Sequence, residues 1–237
     1  MKREKIRILS IDGGGIRGII PAYTLIKIEE KLKDLSGNRD ARIADYFDLF
    51  VGTSTGAILA AILLIPDHNG RPKYTAVDAY NLYMKNGDFI FNQSKRFGGV
   101  IRQAFFNGAL YDHANLEKAL AKHAGETLLS ELIRPCMMTT YDMKRKSSFF
   151  FRSHENKEKT GDFKLTDALR STSAAPTYFS PAKISSLHPE KPAEMVNLDG
   201  GVFANNPAMC AYAEARGMRF THWFDGEVED KIFPTAK

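Results

Sequence analysis

Tyr46-Phe47-Asp48-Leu49-Phe50-Val51-Gly52-Thr53-Ser54-Thr55-Gly56-Ala57-Ile58-Leu59-Ala60-Ala61-Ile62-Leu63-Leu64-Ile65 is the stretch that decides the fold. Its opening residues are aromatic, β-branched or aliphatic apart from Asp48, and predict a buried strand over 46–51. The unbroken apolar run 57–65 predicts a helix packed into a core. Between them stands Gly52-Thr53-Ser54-Thr55-Gly56. A Gly-x-Ser-x-Gly turn between strand and helix makes a tight elbow that thrusts the serine hydroxyl out of the backbone. A helix dipole starting at Ser54 would also favour negative charge developing there. Taken alone, the five-residue pattern is common, and its plain alternative is a helix cap by Ser54 or Thr55.

The same arrangement occurs once upstream. Ile6 to Ile11 reads as a strand, Asp12-Gly13-Gly14-Gly15-Ile16-Arg17-Gly18 as a glycine turn, and Ile19 to Lys33 as a helix with Pro21 in its first turn. Two strand–turn–helix units in succession predict an α/β fold, a three-layer sandwich with a mainly parallel central sheet and its working loops at the strands' carboxyl ends. Helices are further expected over 76–84, 115–124 and 165–171. Strands are expected over 136–141, 147–152 and 195–198, the last running into Asp199-Gly200-Gly201. Residues 67–113 form an irregular insertion to which periodicity assigns no role.

With 237 residues, 43% hydrophobic and 26% charged, the chain is read as one globular domain rather than a disordered or fibrous one. The formal net charge of +5 favours anionic partners such as acidic phospholipid faces. No basic stretch is interleaved with stacking aromatics, so a nucleic acid polymer is not an expected partner. Cys136 and Cys210 have no CxxC spacing, which supports neither a disulfide framework nor a zinc knuckle and suits a reducing, cytoplasmic compartment. The longest apolar run, 57–66, falls well short of the roughly 20 residues that span a bilayer. The charged N-terminus followed by an interrupted apolar stretch is not a signal peptide.

Asp12 to Gly18 offers consecutive unobstructed N–H groups, as an oxyanion hole or a phosphate cradle requires. Gly13, Gly15 and Gly18 also fit the GxGxxG of a dinucleotide-binding turn, which needs an acidic ribose ligand at the end of the next strand. Here that strand ends in Gly-Thr-Ser-Thr-Gly, so no nicotinamide cofactor is expected. Arg17 is a candidate for orienting the loop or meeting an anionic substrate, against the alternative of a surface ion pair worth little. Asp199, 145 positions after Ser54 and followed by two glycines, is a candidate base able to take the serine proton directly. The order Ser54, Asp199, His222 also mimics the chain order of α/β-hydrolase triads, which keeps a histidine-dependent esterase as the rival arrangement. His68, His113, His123, His154 and His188 sit in polar or helical contexts and read as surface or structural residues.

Asp-Gly-Gly-Gly-Ile-Arg-Gly, Gly-Thr-Ser-Thr-Gly and Asp-Gly-Gly, in that order, resemble the motifs of patatin-like phospholipases over roughly residues 6 to 212. The likeness includes Tyr46-Phe47-Asp48 and Ser173-Ala174-Ala175-Pro176-Thr177-Tyr178-Phe179. It implies a Ser54–Asp199 dyad and an oxyanion hole from the amides of Gly13, Gly14 and Gly15, with Thr55 beside them. It also implies calcium-independent hydrolysis of phospholipid, lysophospholipid or other acyl esters without cofactor or metal. In length the domain resembles bacterial members that act as effectors switched on by a cyclic nucleotide, which implies a bacterial affiliation and such an activator. Family members usually continue past the position of Lys237, so one domain over 1–237, truncated at its C-terminus, is expected. Peripheral contact with the inner membrane face is expected from Phe97, Phe105 and Phe106 among Lys95, Arg96 and Arg102, the alternative being packing within the fold. A catalytically silent sensor or scaffold is disfavoured because Ser54, Asp199 and the glycine loop are all present. The sequence does not set the oligomeric state.

Overall fold

β1 (Ile8–Ile11), β2 (Leu49–Thr53) and β3 (Cys136–Asp142) lie side by side and parallel in the computed structural model, which describes residues 5–91, 111–155, 161–221 and 230–232. β4 (Ser147–Arg152) turns back antiparallel on β3, β6 (Glu194–Asp199) is also antiparallel to β3, and β5 (Ala182–Ser185) pairs antiparallel with β6. Four of the six strands thus point one way. The three-layer α/β class is borne out, with β4 and β6 running against the parallel set.

Register explains how the site is formed. Met137 to Thr139 pair with β2 and with β4, whereas Thr140 to Asp142 pair with β4 and with β6. Each strand has two edges, so β2 and β6 share one edge of β3 and approach end to end from opposite directions. Thr53 sits opposite Thr139 and Asp199 opposite Thr140. The carboxyl ends of β2 and β6 therefore converge although the strands are antiparallel.

Helices α1 (Ile19–Ser36), α2 (Thr55–Ile62), α3 (Ala76–Phe91), α4 (His113–Ala124) and α5 (Leu165–Thr172) precede β5 in the chain or connect the strands. A short turn of helix α6 (Gly201–Ala204) and helix α7 (Ala208–Gly217) follow β6, and β7 (Arg219–Thr221) pairs antiparallel with β8 (Asp230–Ile232). Alternation along β2 sorts its side chains to opposite faces. Phe50 enters the main core with Ile58, Ile62, Leu120 and Leu169. Leu49 and Val51 face a smaller cluster closed by Ala211 and Ala215 of α7. Fully burying a side chain of this size contributes about 1.5–3 kcal/mol, so both faces of β2 are strongly specified.

The local differences from expectation have physical causes. β2 begins at Leu49 rather than Tyr46 because a 3-10 turn over Ile43–Asp45 leads into Asp48, whose carboxylate accepts the Arg7 amide at 2.8 Å. α2 begins at Thr55, directly after the serine, and ends at Ile62. α3 continues to Phe91, past the expected Met84. β5 is a four-residue edge strand with only two inward residues, and α7 carries a weak alanine-rich pattern. Neither has a sequence signal strong enough to read. Among the described residues no helix is long and apolar enough to cross a membrane.

Candidate active site

The turn from β2 into α2 depends on two glycines. A Cβ on Gly52 would lie 2.4 Å from the Ala57 backbone, and one on Gly56 would lie 2.3 Å from the Ile11 carbonyl oxygen. Only glycines let the helix fold back on its own strand and on the end of β1. Ser54 between them has φ 55° and ψ −126°, a left-handed backbone that costs a non-glycine residue about 1–3 kcal/mol. Its carbonyl accepts the amides of Ala57 at 2.9 Å and Ile58 at 3.1 Å, and its own amide donates to Thr172 Oγ1 at 2.9 Å. The Ser54 side chain makes no capping hydrogen bond to α2. Thr55 Oγ1 instead accepts the Gly14 amide at 3.2 Å, so the capping alternative does not account for the serine hydroxyl.

Asp199 closes β6 with 6% of its surface exposed, against 8% for Ser54. Its amide donates to the Ala174 carbonyl at 2.9 Å, and its Oδ1 accepts the Gly201 amide at 2.7 Å. Burial pushes the carboxyl above the usual carboxylate range, while the neighbouring Ser54 side chain and the Gly201 amide act against that rise. Thr53 Oγ1 donates to the Ala204 carbonyl and meets Thr139 Oγ1, both at 2.7 Å, while Thr140 Oγ1 donates to the Leu198 carbonyl at 2.7 Å. These hydroxyls hold the two strand ends against β3 without drawing on Ser54 or Asp199.

The glycine loop lies beside them. Gly14 and Gly15 line the same cavity as Ser54, Thr55 and Asp199, and Gly15 begins a 3-10 turn over Gly15–Gly18 with φ +57° and open space where a side chain would stand. Gly13 does not line the cavity, and its amide is already donated to the Asn205 carbonyl at 3.0 Å. Its place in the expected oxyanion set is therefore that of a loop anchor. Arg17 is exposed, lines the cavity, and donates from Nε to the Gly14 carbonyl at 3.4 Å.

The cavity has a volume of about 830 Å³. Ile58, Leu82, Leu116 and Phe179 give it an apolar wall opposite the polar loops, and Tyr83 reaches from α3 to donate its hydroxyl to the Thr55 carbonyl at 2.7 Å. Burial raises the Tyr83 phenol far above its ordinary range, so it stays a neutral donor. No histidine among the described residues lines the cavity. His222 and the segment Phe97 to Phe106 lie outside the described residues. Among the described residues no three metal-ligating side chains come together.

Sequence reading singled out neither Thr172 nor Asn205. Thr172 lies just before the quoted Ser173 to Phe179 stretch, and Asn205-Asn206-Pro207 follows Asp199-Gly200-Gly201 closely enough that side-chain amides there could have been suspected of tying the turn down. Asn206 Nδ2 does reach Asp12 Oδ2 at 3.3 Å.

A buried carboxylate beside an elbow serine, with a glycine loop lining the same cavity on a three-layer α/β frame, defines the class to which this chain belongs. It is a member of the patatin-like phospholipase family, whose model matches residues 9–212. It is 38% identical over 219 residues to patatin-like protein 2 of Oryza sativa subsp. indica, covering 90% of this chain and 53% of the relative. It is 40% identical over 179 residues to patatin-07 of Solanum tuberosum, covering 75% and 44%. With patatin-like protein 1 of Arabidopsis thaliana it shares 37% identity over 210 residues, covering 87% and 50%. The chain spans about half the length of these relatives. They are plant proteins, so the bacterial affiliation inferred from domain length is unsupported; length reflects the fold rather than lineage.

Proposed function

We propose that the chain is a lipid acyl hydrolase of phospholipase A or lysophospholipase type, working through Ser54 and Asp199. The observation that carries this reading is the convergence of the β2 and β6 ends, with a strained serine whose side chain hydrogen-bonds a buried carboxylate, both lining a largely apolar cavity. Family membership supports the ester substrate.

In this mechanism Ser54 Oγ attacks the ester carbonyl carbon as its proton passes to the Asp199 carboxylate. The carbonyl π electrons move onto oxygen, and the amides of Gly14, Gly15 and Thr55, which line the same cavity as the serine, are the donors for that oxyanion. Gly14 would exchange its bond to Thr55 Oγ1 for the oxyanion. Collapse breaks the bond to the leaving alcohol, which takes the proton from Asp199. Water then attacks the acyl-serine, gives its proton to Asp199, and the fatty acid leaves as Ser54 recovers that proton. A raised carboxyl suits this role, because a base matched to the operating pH transfers protons most effectively.

Contact with a lipid surface belongs to the same proposal. Ile16, Tyr178 and Val202 line the cavity yet remain about half exposed, with the Arg17 cation among them.

The test is fatty-acid release from phosphatidylcholine and lysophosphatidylcholine vesicles in the presence of a metal chelator. Wild type should release fatty acid, and Ser54→Ala should fall to background. Equal release by both proteins would overturn the proposal.

A further inference from the structure

We infer that Thr172 is a positioning residue that clamps the serine elbow and the aspartate turn together, an inference that rests on the hydrolase reading above for its kinetic consequences. Thr172 ends α5 and is fully buried. Its Oγ1 accepts the Ser54 amide at 2.9 Å, and its carbonyl accepts the Gly200 amide at 3.3 Å. Two residues on, the Ala174 carbonyl takes the Asp199 amide at 2.9 Å. One residue from a third element thus bonds the serine of the candidate dyad and the glycine that follows its aspartate.

The need for such a clamp follows from the elbow. Ser54 precedes the first turn of α2, so its N–H has no partner in the helix ladder, and buried amides are almost always satisfied. Its positive φ persists only if the surroundings hold it. Of the hydroxyls on the adjoining residues, Ser171 Oγ accepts Asn197 Nδ2 at 3.0 Å and Thr53 Oγ1 donates to Ala204. The acceptor for the serine's amide is the Thr172 hydroxyl. Because the contact to Gly200 runs through the Thr172 backbone, a side-chain substitution loosens the serine and leaves the aspartate turn in place.

Thr172→Val and Thr172→Ser separate this role from packing. Val keeps the shape and removes the acceptor; Ser keeps the acceptor and removes a methyl. For hydrolysis of a soluble p-nitrophenyl ester, Val should lower kcat about 10- to 100-fold with little change in KM, and Ser should recover most of the loss. Hydrogen exchange at the Ser54 amide should accelerate in Val and not in Ser. A Val variant with kcat within about twofold of an active wild type would overturn the inference alone. So would Val and Ser variants whose Ser54 amides exchange alike. An inactive wild type that still shows the exchange difference supports the clamp and overturns the hydrolase reading.

Discussion

Gly13 and Asn205, 192 positions apart, exchange two hydrogen bonds: the Gly13 amide donates to the Asn205 carbonyl at 3.0 Å, and Asn205 Nδ2 donates to the Gly13 carbonyl at 3.1 Å. The glycine loop is thereby fastened to the segment that follows Asp199. Asn205→Ala removes the side-chain half of this exchange. A net loss of about 0.5–1.5 kcal/mol should lower Tm by a few degrees in a chain of this size. Displacement of Gly14 and Gly15 should lower kcat about tenfold with KM little changed. Scanning calorimetry and steady-state kinetics check both. Unchanged kcat would mean that Asn205 does not hold the loop.

The left-handed backbone at Ser54 predicts a stability gain when its side chain is deleted altogether. Ser54→Ala and Ser54→Gly should be equally inactive, yet only glycine adopts φ 55° without steric cost. Allowing for glycine's greater unfolded-state entropy, Ser54→Gly should melt about 2–4 °C above Ser54→Ala. Equal melting temperatures would show that the elbow stores little strain.

Asp199 predicts a divergence between stability and activity. Its carboxyl is raised above 3.8 in the fold. The protonated form is therefore favoured by folding, a contribution fully present below the unfolded value and lost as pH rises through the raised one. At neutral pH a buried carboxylate is being held ionised at a cost. Asp199→Asn should abolish turnover while its Tm at neutral pH equals or exceeds wild type by a few degrees, an advantage that shrinks as pH falls toward about 4. Wild-type kcat should likewise fall on acidification with a midpoint above that of an ordinary aspartate. An Asn variant that melts below wild type at neutral pH would reverse this assignment of the carboxylate's energetics.

Much of this site was legible in the chain because its parts are local. Gly52 and Gly56 announce a close approach of strand and helix, and the apolar runs 46–51 and 57–65 placed the elbow to within a few residues. The side of Asp199 was not legible in the same way. Its strand, β6, is antiparallel to β3 and meets β2 head-on because both pair with one edge of β3. Pairing of that kind is set by register between distant segments, which leaves no local pattern. Thr172 and Asn205 were invisible for a related reason: a threonine at a helix end and an asparagine two residues before a proline are ordinary until the fold shows which backbone groups they meet. The oxyanion set was over-read at Gly13, since consecutive glycines reveal which amides are unobstructed but not which are already bonded.

The central claim is that Ser54 is a nucleophile activated by Asp199, and covalent labelling with a fluorophosphonate reports on both. Wild type should be labelled at Ser54, located by peptide mass spectrometry. Ser54→Ala should not react, and Asp199→Asn should react about 10²-fold or more slowly, as expected for loss of a positioned general base. Undiminished labelling of Ser54→Ala, or labelling of Asp199→Asn at the wild-type rate, would contradict the account.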